Sequence, residues 1–256
     1  MSEVERALFI THWEGEPDAG NFQRLYIGSD TCQYLLPRER ELEKALGFRE
    51  KNKIPLTLVT PLLTDHGLEK VERLTAMLDK DTEVVINDWG ALPGVRGRGL
   101  QPVMGRMLVK TTRNAGFGYE HRNDSELWEY THSANFSTPL AMRFIQRAGF
   151  NRIELDNVTQ GFDFRTDGGI LFSVYYPYIV MHVMKKCTLL YAAERYPHPG
   201  KECPQPCRGK MMKANLRGNT VFIGGPAIFF RNDAWPSILD DSPIVDRLVV
   251  MDRWLI

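Results

Sequence analysis

Short apolar runs rich in Val, Ile, Leu, Phe and Tyr recur every few tens of residues in this chain, each ended by polar residues, Gly or Pro. Strands buried on both faces read this way, and such strands build parallel sheets. Eight segments qualify: residues 7–12, 24–28, 56–60, 83–87, 102–108, 128–132, 152–155 and 170–176. Helical periodicity follows several of them. Residues 38–48 place Leu42, Ala45 and Leu46 on one face, and residues 65–78 do the same with Leu68, Val71, Leu74 and Leu78. The best-marked helix spans 139–148, where Ser137 or Thr138 caps the free amides, Pro139 fits the first turn and Gly149 ends the run. Its apolar face is expected to be Leu140, Ala141, Phe144 and Ala148. Alternating strand and helix predicts an α/β fold. Eight such units in 256 residues predict a (β/α)8 TIM-like barrel, complete or irregular, in preference to an open doubly wound sheet.

From residue 185 the pattern breaks. Cys, Pro, His, Gly and basic residues crowd 185–209, and a mixed tail runs to Ile256, with an apolar stretch over 244–255 suited to a closing helix or strand. We expect one domain over 1–256, with the barrel in 1–184 and a cysteine loop and closing tail in 185–256. Lys plus Arg and Asp plus Glu both number 32, so no net charge favours nucleic acid or an anionic membrane, although local basic patches leave nucleic acid open as a partner. The first six residues are polar and charged where a secretory signal needs an apolar core, and no apolar run approaches the roughly 18 residues that span a bilayer. The expected location is cytoplasmic. In a reducing compartment four cysteines read as ligands more readily than as two disulfides.

Those four are Cys32, Cys187, Cys203 and Cys207. Three of them fall within twenty-one residues of loop, a concentration unlike the scattered cysteines of an ordinary core. In Cys203-Pro204-Gln205-Pro206-Cys207 the two prolines stiffen the connection, so the two sulfurs converge at low entropic cost. Cys32 follows the second predicted strand and Cys187 lies near the end of a helix-like stretch; in a parallel barrel both positions would sit at the carboxyl ends of strands, on one face. Four thiolates satisfy either a tetrahedral zinc ion or an iron–sulfur cubane, and the spacing leaves both open.

These residues carry a resemblance. Tyr26-Ile27-Gly28 leading to Cys32, Val85-Ile86-Asn87-Asp88-Trp89-Gly90, Gly105-Arg106-Met107-Leu108 and the Cys187, Cys203, Cys207 set resemble peptidase family U thirty-two, the collagenase-like family. The layout of one early and three late cysteines is most similar to the family's branch of ubiquinone biosynthesis accessory proteins. The resemblance implies a barrel, a [4Fe-4S] cluster on the four cysteines, and oxygen-independent hydroxylation of a quinone precursor or an RNA base. It also implies a related family member as heterodimer partner and a small-molecule donor such as prephenate. The family's peptidase signature is broken here: residues 172–180 lack its acidic residue, glycine and additional cysteine ahead of Cys187. A Gly-x-Ser-x-Gly elbow and a His-Glu-x-x-His helix are also missing, which makes proteolysis the weakest of the three readings, after the cluster and a structural zinc site.

Polar residues on or beside the predicted strands form a candidate pocket: His12, Asn87, Asp88, Arg106, His132, Asn135, Glu154, Asn157 and Tyr176. Barrel interiors are packed with branched apolar side chains, so Arg106 or Glu154 within a strand must be paired or stand at the rim. His12 and His132 are placed to move protons, or are satisfied strand-end histidines. Asn87-Asp88-Trp89-Gly90 serves equally as turn chemistry or as a substrate contact. The glycine-rich run 94–99 has no lysine in Walker order and no evident helix start; its arginines either grip a carboxylate or are solvated.

Overall fold

The computed structural model describes residues 4–18, 20–113, 125–162, 169–184, 187–192, 203–208, 210–216 and 218–251. Its strands are β1 (Glu5–Ile10), β2 (Arg24–Gly28), β3 (Leu56–Val59), β4 (Glu83–Ile86), β5 (Gln101–Met104), β6 (Arg152–Asp156), β7 (Leu171–Tyr176), β8 (Tyr178–Val183), β9 (Met212–Leu216), β10 (Asn219–Gly224), β11 (Ala227–Arg231) and β12 (Val245–Val250). Among the described residues, β1 to β7 and β12 are all parallel and close into a barrel, with β12 filling the gap between β7 and β1. The (β/α)8 architecture is therefore present, but the last barrel strand comes from the tail. Between β7 and β12 the chain inserts an antiparallel sheet in the order β8-β11-β10-β9.

Helices follow the strands where the periodicity placed them. α1 (Glu39–Asn52) buries Leu42, Ala45 and Phe48, and α2 (Asp65–Thr75) buries Val71 and Leu74. The glycine-rich run becomes α3 (Leu92–Gly97), started by proline in its first turn, so it is neither a phosphate loop nor irregular.

Two expectations are overturned. Residues 128–132 are not a strand but lie in α4 (Ser125–His132). There the exposed Glu129 and Tyr130 are followed by the buried Thr131 and His132, a pairwise pattern that a helix produces and a two-residue period cannot. In α5 (Pro139–Arg147) the cap is as expected, Thr138 Oγ1 accepting from the Ala141 amide at 3.2 Å. The buried face, however, is centred on Ile145, while Leu140 is 72% and Phe144 57% exposed.

Strand residues alternate between two apolar sets. Leu8, Leu25, Leu58, Ile86, Ile153 and Leu248 belong to the cluster that packs against the helices, while Phe9, Tyr26, Val85, Val103, Tyr175 and Val249 form the barrel interior. Tyr178, Val180, Ala227 and Phe229 of the inserted sheet join that interior cluster. The sheet thus lies across the carboxyl end of the barrel and fills the mouth where a barrel enzyme ordinarily holds substrate. At the opposite end charges replace the apolar filling. Arg24 and Arg247 each bridge Glu5 and Glu83, and Arg152 makes a bidentate pair with Asp246 at 2.6 and 3.0 Å. Burial alone would raise the Glu83 pKa, but the three arginines outweigh it and hold the carboxyl at about 2.

Candidate metal centre and adjoining cavity

Pro204 and Pro206 have no amide hydrogen, so Gln205 supplies the one backbone donor between Cys203 and Cys207. That N–H points back at Cys203 Sγ, at 3.4 Å. Across from this loop lies the Cys32 segment, shaped by β2. Gly28 ends that strand at φ +137°, where an added Cβ would sit 2.1 Å from the Val59 carbonyl oxygen, so only glycine lets the chain pass β3 this closely. Ser29 Oγ then accepts from the Cys32 amide at 3.1 Å, and a 3-10 turn (Gln33–Leu35) follows, in which the Leu35 amide donates to the Cys32 carbonyl oxygen at 3.0 Å. Gln33 Oε1 ties the turn to the start of α2 by accepting from the Thr64 amide and hydroxyl at 2.9 and 3.0 Å. Cys187 enters after β8, from the inserted sheet and not from a barrel strand, and Cys207 packs near Gly225 in the turn between β10 and β11.

All four cysteines are free thiols. They come from three separate segments and lie near enough to act on one another's charge: Cys32 feels Cys207 and Cys203, Cys203 feels Cys187, and Cys207 feels both Cys187 and Cys203. Burial pushes the Cys32 thiol up to about 12, against the lowering effect of the Tyr34 and Leu35 amides. Burial followed by the neighbouring thiols takes Cys207 to about 11, and Cys203 is raised for the same reasons, opposed by the Gln205 amide. A reactive cysteine needs the opposite, a cation or imidazole that lowers its pKa. By chemistry the donor set suits a thiophilic group: thiols brought into one neighbourhood from separate segments, with the Gln205 N–H aimed at one of them. Tetrahedral zinc, with Zn–S near 2.3 Å, draws its sulfurs to about 3.8 Å from one another. No His, Cys, Asp or Glu side chains among the described residues are gathered in threes in a way that could hold a metal ion.

Beside the thiols opens a cavity of about 1420 Å³, lined by Cys203, Pro204 and Gln205 on one side and by the 3-10 turn, α1 and α2 on the other. It exceeds the roughly 300–1,000 Å³ of ordinary small-molecule sites. Arg38, Arg40, Lys70, Arg73 and Arg208 line it, against Glu39 and Glu41. A chain of zero net charge therefore concentrates cations on this wall.

The polar residues singled out in the sequence do not assemble into one pocket. Only His12 reaches the cavity, its Nε2 2.9 Å from Glu14 Oε1. Asn87 is buried as a bracket, donating to Thr60 O at 2.7 Å and accepting from the Met107 amide at 2.9 Å; Gly105 leaves it the space. Asp88 is turn chemistry, accepting from the Gly90 and Leu63 amides. Asn135 clamps the segment after β5, bonding the Lys110 amide and Leu108 O at 3.0 Å each. His132 sits in the last turn of α4 with Nδ1 3.2 Å from Thr131 Oγ1. Asn157 and Tyr176 bond the carbonyls of Ala234 and Asp233, fastening the insertion's return.

Arg106 and Glu154 are the interior pair. Arg106 is fully buried just beyond β5, bonding Asp30 at 2.7 Å, Asp156 at 2.8 Å and Tyr178 O at 2.8 Å, with its guanidinium 4.0 Å from the Tyr175 ring centre. It pins the inserted sheet to the barrel. Glu154 accepts from Tyr175 Oη at 2.6 Å, and burial raises its pKa to about 7 against the opposing pull of Tyr175, Tyr26, Arg247 and Arg106. Sequence reasoning missed Gln33, Tyr34, Gln205 and Arg208; their one signal was adjacency to a cysteine.

No family model and no curated protein matches the chain. Among solved structures it is similar to the U32 peptidase Mk0906, with 10% identity over 98% of this chain and 93% of that one and a TM-score of 0.47. At that level of likeness, the residues themselves must carry the function.

Proposed function

We propose that Cys32, Cys187, Cys203 and Cys207 hold a [4Fe-4S] cluster, and that the adjoining cavity receives the substrate of an oxygen-independent hydroxylation. The observation that carries this reading is that four free thiols from three segments lie within electrostatic reach of neighbours in the set, with Cys203 on the wall of a large cavity. When bound, the cluster would supply one-electron chemistry. The chain's own contribution is to donate the Gln205 amide to the Cys203 sulfur and to present a cationic wall that suits an anionic substrate or donor, such as a carboxylate of the prephenate type.

The cysteine layout supports a place beside the ubiquinone biosynthesis accessory proteins, with a quinone precursor as substrate and a related chain as heterodimer partner; an RNA base is the other substrate class. Raised thiol pKa values speak against a cysteine peptidase. Protein purified and reconstituted without oxygen is expected to be brown, with iron and sulfide in near equal amounts, and Cys32→Ser is expected to lose most of both. A colourless product carrying one zinc per chain would replace this reading with a structural zinc site, and a product carrying neither would end both.

A further inference from the structure

Gln205 has a backbone φ of +50°, a left-handed conformation that glycine or asparagine normally occupies, and it precedes a proline. Strain retained at a residue with a long side chain asks what that side chain does. Its Nε2 donates to the Tyr34 carbonyl oxygen, 171 positions away in sequence and within the turn that wraps Cys32. A backbone carbonyl can only accept, so the orientation of the amide is fixed by its partner. The same residue's backbone N–H points at Cys203 Sγ. Gln205 therefore touches the early cysteine's loop with its side chain and a late cysteine with its backbone. Among the described residues, Arg208 of the same loop also reaches Glu41 of α1 at 3.2 Å, a partly exposed ion pair of small expected worth.

We propose that Gln205 is the positioning residue of the cysteine site: its side-chain amide holds the Cys203–Cys207 loop against the Cys32 loop, so that thiols far apart in sequence present themselves as one ligand set. This rests on the reading of the four cysteines as a single site. The strained φ gives a direct discriminator. Gln205→Gly relieves the backbone while deleting the amide, so a residue kept only for loop shape would tolerate it or gain stability. Gln205→Glu keeps the size and replaces the donor by an acceptor facing a carbonyl.

The test uses metal-free, reduced full-length protein and a bifunctional bimane reagent that joins two neighbouring thiols, with the bridged peptides identified by mass spectrometry. Wild-type protein is expected to bridge Cys32 to Cys203 or Cys207. Both variants should slow that bridge roughly fivefold, the loss of one hydrogen bond, and Gln205→Glu should leave the Cys203 to Cys207 bridge unchanged. Arg208→Ala should slow it less than twofold. Bridging of Cys32 at the wild-type rate in Gln205→Gly overturns the proposal, and that variant decides the matter alone if Gln205→Glu does not fold. Iron, sulfide and zinc uptake measured in parallel separates the two ideas: wild-type protein that takes up no metal ends the cluster reading, while the bridging rates still decide the role of Gln205.

Discussion

Individual side chains here divide into those that bind the barrel together and those that face the cavity, and burial draws the line. Glu154 belongs to the first group and carries a pH signature. Its carboxyl is raised from 4.5 to about 7 by burial, so the folded state holds a proton that the unfolded state releases above pH 4.5. The stability that this contributes is complete below about pH 4.5 and is lost as pH rises through 7, a loss of order 3 kcal/mol. Glu83 has the opposite sign, its contribution vanishing only as pH falls toward 2, so it does not enter this window. Glu154→Gln keeps an acceptor for Tyr175 and removes the titration. Its melting temperature should fall less between pH 5 and pH 8.5 than that of the wild type; equal falls in the two proteins would show that Glu154 does not govern this range. Arg106 and Glu154 were legible as groups needing partners, since a charge inside a barrel must have them. Which partners they have was not legible, because Asp30, Asp156 and Tyr175 come from other strands and loops.

At the scale of elements, the strand-and-helix repeat was readable where each strand is buried on both faces, as in β2, β3 and β4, whose composition leaves little choice. It misled at 128–132, where aromatic and β-branched residues suggested a strand and the pairwise burial of Thr131 and His132 belongs to a helix. It misled again on α5, whose inward face is decided by the neighbouring packing. Leu140 stays outside, and Phe144 lies against Trp89, with ring centres 5.6 Å apart, while remaining largely exposed. The β2 end is the element that places the Cys32 segment. Gly28→Ala would drive a methyl group into the Val59 carbonyl oxygen, so a loss of at least about 2 kcal/mol is expected, read as a drop of several degrees in melting temperature. An unchanged melting temperature would mean that β2 and β3 can separate there without cost.

For the molecule as a whole, the decisive fact is that the barrel closes through a strand supplied after the insertion. β12 pairs with β7 on one side and β1 on the other, and its Arg247 joins Glu5 and Glu83 at the barrel floor. A chain ended before residue 244 would leave both neighbours as open edges and those carboxylates without that arginine. Such a chain is expected to lose cooperative thermal unfolding and to aggregate, as followed by circular dichroism and size-exclusion chromatography; a monomer with a sharp transition would mean that seven strands suffice. Closure by the tail also explains where the cavity lies. The insertion fills the axial mouth, so the open space is displaced to the rim, between α1, α2 and the cysteine loop.

The sequence alone determined the α/β class and the barrel, and it marked four cysteines for attention, because burial periodicity and residue chemistry are local properties that each segment carries with it. The tertiary structure decided which strand closes the barrel, that the inserted sheet fills its mouth, and that the polar residues of the strands serve as braces in place of a common pocket. Those outcomes depend on contacts between segments more than a hundred residues apart, such as Gln205 with Tyr34 and Arg247 with Glu5, and no local pattern records them.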